Sequence, residues 1–156
     1  MGLKVSYAQK ISEVVNEYPQ TQFPLDEFED YKKICLGYAD IPAPPIHEQL
    51  KHPAHIETIG RDKLMERPSS ARAEELHHVH MWQEGCCWED PVKGLKVQWA
   101  STSNCYVVYS YFKDKNQDHH FYIIDYCGDL AHDIIEDDDQ VMEWAEEARS
   151  FRIANI

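Results

Sequence analysis

Several things are missing from this chain, and each absence narrows what it can be. No apolar run approaches the length of a membrane span. Met1-Gly2-Leu3-Lys4-Val5 has no apolar core followed by small residues, so no signal peptide is expected. The five cysteines include no Cys-x-x-Cys pair, and their odd number argues against a disulfide framework. Reduced thiols in a cytoplasmic protein are the plain expectation. No internal repeat is visible. Positive charge is scarce: 15 Lys and Arg stand against 28 Asp and Glu, a formal charge of −13. A chain of that sign lacks the general basic character of a nucleic-acid binder.

What is present suffices for a core. Hydrophobic residues make up 43% of the 156 residues and aromatics 12%, which excludes global disorder and fits one domain spanning 1–156. The charge is uneven. From Asp125 to Glu147 there are ten acidic residues and no Lys or Arg. Residues 60–72, with Arg61, Lys63, Arg67 and Arg72, carry a net positive balance. So do residues 93–115, with Lys93, Lys96, Lys113 and Lys115. One face could accept an anion while the rest repels it.

Periodicity divides the chain into a helical part (1–40), a loop-rich connection (41–75), and a sheet followed by a helix (76–152). Val5, Ala8, Ile11, Val14, Val15 and Tyr18 fall at helical spacing, ended by Pro19. A second helix is expected over Asp26–Gly37, with Gly37 as its C-cap. Ile41-Pro42-Ala43-Pro44-Pro45 opens a loop, with a short helix expected near Arg61–Met65. Four strands are then expected: Leu76–Met81, Lys96–Ala100, Cys105–Phe112 and His120–Cys127. Asn116-Gln117-Asp118 reads as a hairpin turn, and Gly128-Asp129 closes the last strand. A final helix runs from about Asp138 to Phe151, with Asp137, Asp138 and Asp139 at its positive end. The fold class is α+β: N-terminal helices, an antiparallel sheet of about four strands, and a C-terminal helix.

Four segments resemble one known family. His132 follows the last strand and leads without a gap into a helix ending Phe151-Arg152. Ile59-Gly60-Arg61-Asp62-Lys63-Leu64 looks like a Gly-Arg-Asp-x-Leu signature. His78 and His80 fit a His-x-His strand. Thr102-Ser103-Asn104, followed by Cys105 to Tyr109, fits a Thr-Asn/Asp-x-x-x-Leu-Val-Tyr strand. In their order along the chain they resemble the YafO-type toxins of bacterial type II toxin–antitoxin pairs. The resemblance implies a RelE-like toxin fold and ribosome-dependent cleavage of messenger RNA. It also implies a cognate antitoxin, hence a heteromeric complex, and no cofactor and no metal. The chain departs from the family in its acidic last helix and in extra residues around 41–57 and 83–95.

Metal-free RNA cleavage needs a base for the 2′-hydroxyl, a cation for the phosphorane and an acid for the leaving oxygen. On the matched positions, the resemblance points to His80 and His132 for proton transfer. It points to Arg61 and Arg152 for the phosphate. His78, Lys63, Arg67 and Lys96 complete the expected substrate contacts. Blander roles compete: Arg152 as a helix cap, Arg61-Asp62 as an ion pair, His78 as a core histidine. Two other readings stand beside the enzyme. One is a zinc site made from His77, His78, His80, Cys86 and Cys87, although zinc-type spacing is absent. The other is a non-catalytic acidic binding module on the same fold, acting through Asp125–Glu147.

Overall fold

The computed structural model describes residues 2–128 and 131–156, so Asp129, expected to close the last strand, lies outside the described residues. The chain opens with a strand, β1 (Leu3–Tyr7), before helices α1 (Gln9–Glu17) and α2 (Gln22–Gly37). A short helix, α3 (Ile46–Gln49), precedes β2 (Ile59–Leu64), and α4 (Ser69–Ala73) precedes β3 (His77–Met81). A small hairpin follows, β4 (Glu89–Asp90) and β5 (Gly94–Leu95). The long hairpin β6 (Tyr106–Lys113) and β7 (His119–Cys127) leads to α5 (Ala131–Ile135) and α6 (Asp138–Asn155). This is the expected α+β architecture. No helix among the described residues is long and apolar enough to cross a membrane.

The main sheet has five strands in the order β1-β7-β6-β3-β2. Four are antiparallel neighbours, but β1 lies parallel to β7, with Val5 opposite Phe121. The helix expected from Val5 therefore starts only at Gln9. The apolar residues Val5, Ala8 and Ile11 fit helical spacing by coincidence, and pairing with a strand more than a hundred residues away decides the matter. Two further expectations change. Arg61–Met65 belongs to strand β2 and not to a short helix. Lys96–Ala100 is no strand: Gln98–Ala100 forms a 3₁₀ turn. Its cause is Gln98, whose buried amide donates to Tyr31 Oη at 2.8 Å and to Gly60 O at 3.0 Å. The left-handed residue after α2 is Ala39 (φ 61°), and Gly37 remains within the helix.

Both faces of the sheet are packed, by different helices. On one face α2 buries Leu25, Phe28, Tyr31 and Cys35 against Tyr109 and Phe121. Each such side chain contributes about 1.5–3 kcal/mol by leaving water. Lys32 is buried in the same layer, and its Nζ meets Asp62 Oδ2, Tyr109 Oη and Pro42 O, each at 2.7 Å. On the other face α6 buries Val141, Trp144, Ala145 and Ala148, and Phe151 stacks on Tyr122 with ring centres 3.9 Å apart. Asp137 caps α6, accepting from the N–H groups of Asp139 and Gln140. At the far end of β7, His120 bonds Ser6 Oγ at 2.8 Å and Asp114 Oδ2 at 3.3 Å, fastening β1 to the hairpin.

Strand β2 sits at a sheet edge, yet its outer backbone groups are occupied. Arg61 N–H donates to Ser101 O at 2.9 Å. The Gln49 amide accepts from Asp62 N–H at 3.1 Å and donates to Asp62 O at 2.9 Å. Gly60 has no room for a side chain, because a Cβ there would lie 2.1 Å from Ser101 O and 2.9 Å from the Trp88 ring.

Candidate active site

Helix α6 leaves the β2-β3-β6 end of its face uncovered. There a cavity of about 560 Å³ opens, lined by Arg61, Lys63, His78, His80, Tyr106 and His132 among others. Strand alternation explains the first four. Lys63 pairs in register with His78, and His80 sits opposite Tyr106. His77 and Asp62 point to the opposite face, toward Lys32 and Tyr109. His132 arrives from α5, whose start is tied to the loop before β6 by His132 N–H donating to Asn104 Oδ1 at 3.0 Å.

His80 is the most constrained side chain of the set. Ser103 N–H donates to its Nδ1 at 2.7 Å, so the neutral ring carries its proton on Nε2. Ser103 O lies 3.0 Å from the same nitrogen and can accept from it once the ring is protonated. One residue thus serves both charge states. Burial, reinforced by the nearby positive charge of Arg61, pushes His80 down to about 4. His78 falls to about 3, through burial and the neighbouring His80. Both rings lie against Tyr106, at 4.8 and 4.4 Å.

Arg61 supplies the cation. Its Nε donates to Trp99 O at 2.7 Å and its guanidinium lies 4.5 Å from the Trp99 ring centre. That anchor uses Nε alone and leaves the bidentate edge of the guanidinium uncommitted by it. Burial lowers its pKa, and a guanidinium keeps its charge in a protein. Lys63 adds a second positive charge. His132 is exposed, with Glu136 Oε1 3.9 Å from its Nε2. The cavity therefore combines buried neutral imidazoles, one exposed imidazole, two cations and one carboxylate.

The other expected contacts fall elsewhere. Arg152, near the end of α6, holds Glu74 with two hydrogen bonds of 2.7 and 2.9 Å and does not line this cavity. Arg67 is exposed on the loop beyond β2, and Lys96 is exposed after β5. Asp62 pairs with Lys32 and not with Arg61. Among the described residues no group of three His, Cys, Asp or Glu side chains converges to hold a metal ion. His77 faces away from His78 and His80, and the Cys86 and Cys87 thiols approach Thr102 O and Glu89 O. Tyr106 and Ser103 escaped the sequence reading. A tyrosine in an apolar strand reads as core, and only the register opposite His80 could have marked it.

Fold and site together define an α+β domain that carries a cationic, histidine-lined cavity on the open end of a mixed sheet. The model of the toxin YafO family, of type II toxin–antitoxin systems, matches residues 30–153, and the chain belongs to that family. It is thus the toxin component of such a system, which implies a cognate antitoxin as partner. No curated protein and no solved structure matches the chain significantly.

Proposed function

We propose that the cavity cleaves messenger RNA on the ribosome by transfer of the backbone phosphate to the neighbouring 2′-hydroxyl. The observation that carries this reading is His80. It is a neutral imidazole held by Ser103, on one cavity wall with Arg61 and Lys63. In the proposed step, His80 takes the proton of the 2′-hydroxyl as the 2′-oxygen attacks phosphorus. Arg61 and Lys63 stabilise the charge that gathers on the phosphoryl oxygens. The bond to the 5′-oxygen breaks, and His132 as imidazolium delivers a proton to that oxygen. The products are a 2′,3′-cyclic phosphate and a 5′-hydroxyl. A phosphate brought beside His80 favours the imidazolium, so the ring gains basicity when substrate arrives. Tyr106 and His78 set the floor of the cavity and keep His80 in place. The acidic α6 contributes nothing to RNA attraction, which leaves capture to the cavity cations and to the ribosome as presenter of the strand.

The test is to incubate the protein with a defined messenger RNA, free and on translating ribosomes, and to map new ends. His80→Gln and His132→Gln variants run in parallel. Cleavage on ribosomes that falls in both variants supports the reading. Cleavage unchanged in both variants, or absent with folded wild-type protein, would overturn it and favour the acidic binding module.

A further inference from the structure

A second cavity, of about 460 Å³, lies behind the wall of the first. It is lined by Glu57, Thr58, Trp82, Cys86, Cys87, Trp88, Glu89 and Leu95. Its lining falls outside the four segments that carry the family resemblance. Most of it comes from the stretches around 41–57 and 83–95.

Its chemistry is the opposite of the histidine cavity. Two carboxylates and two indoles line it, with no Lys, Arg or His among the described lining residues. An indole face attracts a cation, and carboxylates at the rim strengthen that preference. Phosphate is disfavoured there. The surroundings suit a protein surface: Trp82 is 47% exposed, Leu95 40%, and Val92, at the tip of the same β4–β5 hairpin, 91%. Exposed apolar groups around a concave aromatic centre are the anatomy of a contact site with an anchoring side chain. The chain's −13 charge adds complementarity to a basic partner.

We infer that this cavity is a docking site for a partner protein that inserts an arginine or lysine, flanked by apolar residues, against the exposed Trp82 indole and the Glu57 and Glu89 carboxylates, over the buried Trp88. The segment Thr102–Asn104 lines the histidine cavity and is bonded by lining residues of the second. Trp88 Nε1 donates to Thr102 O at 2.8 Å from one side. Ser103 and Asn104 hold His80 and His132 from the other. Gln83 Oε1 accepts from Asn104 N–H at 2.7 Å and links the same wall to the elaborated stretch. A partner bound in the second cavity therefore lies one hydrogen bond, through Trp88, from the loop that positions the histidines.

The inference does not depend on RNA cleavage, because its test reads binding alone. The probe is the capped peptide acetyl-Gly-Leu-Arg-Leu-Gly-amide, titrated into the full chain by calorimetry. The comparison peptide has citrulline in place of arginine, which keeps the shape and removes the charge. The arginine peptide is expected to bind about tenfold more tightly than the citrulline peptide, a ratio typical of cation–π and carboxylate contacts in a partly dry pocket. The advantage is expected to vanish in Glu57→Gln/Glu89→Gln, and binding to weaken in Trp82→Ala, with circular dichroism unchanged in both. Equal binding of the two peptides, an advantage that survives in Glu57→Gln/Glu89→Gln, or no binding to folded wild-type protein would each overturn the inference.

Discussion

Arg61 and Asp62 are neighbours in the chain and serve opposite faces of the sheet. Arg61 lines the histidine cavity, while Asp62 is buried beneath α2 with Lys32 Nζ 2.7 Å from its Oδ2. Their substitutions are expected to separate cleanly. Asp62→Ala strands a buried ammonium and should cost about 3–5 kcal/mol of stability. Arg61→Ala should leave the urea midpoint nearly unchanged and lower ribosome-dependent cleavage by about a hundredfold or more. Urea unfolding beside the cleavage assay checks both.

Arg152 gives the reverse pattern. Its fork on Glu74 joins α6 to the end of α4, and the carboxylate raises its pKa. The guanidinium is partly exposed, so Arg152→Ala is expected to cost roughly 1 kcal/mol. Cleavage per folded molecule should stay at the wild-type level. A loss of cleavage at full folding would return Arg152 to the substrate contacts.

Gly60 is required by its neighbours. A methyl group would meet the backbone oxygen of Ser101, which has no side-chain freedom to move aside. Gly60→Ala is expected to destabilise the fold by about 1–3 kcal/mol, as overpacking does, and to shift Arg61 through the strand. Thermal unfolding measures the first effect and the Trp99 fluorescence environment the second.

Acid should unfold this protein earlier than its carboxylates alone would. His77 falls to about 4 by burial, against the opposing pull of Asp62; His78 falls to about 3 and His80 to about 4. A histidine lowered in the fold stabilises it fully above the unfolded pKa of about 6.5 and loses that contribution as pH falls toward the folded value. Between about pH 6.5 and 4 the unfolded chain binds more protons. Stability should therefore drop by up to about 1.4 kcal/mol per pH unit for each of the three. Urea midpoints at pH 7 and 5 test the slope. Ring NMR of the histidines should show His78 and His80 still neutral at pH 5.

The reach of the sequence differs by element. The two-residue period of His78 and His80 puts both on one face of a strand, whereas Arg61, expected in a short helix and singled out by the family resemblance, reaches the same wall only through β2. Lys32 was illegible, because a lysine in an amphipathic helix ordinarily points to water. Only the meeting of α2 with Asp62 and Tyr109 explains it. Strand β1 was hidden for a related reason: five residues carry too little pattern to outweigh the helical spacing that runs on from them, and their partner strand is remote. Lys96–Ala100 looked like a strand until Gln98 turned inward. Local pattern thus gave the shared strand face of the two histidines, and non-local contacts decided the rest.

The outer rim of β2 has a consequence for how copies of this chain meet. A strand at the end of a sheet offers its free N–H and C=O groups to any other strand, the usual start of edge-to-edge aggregation. Here the Gln49 amide stands where the next strand's peptide group would, giving and taking one hydrogen bond with Asp62. Gln98 and Ser101 fill the positions at Gly60 and Arg61. A chain approaching to extend the sheet between Gly60 and Asp62 meets groups already paired, so β2 is closed to polymerisation there by two glutamine side chains and the Ser101 carbonyl in place of a covering strand.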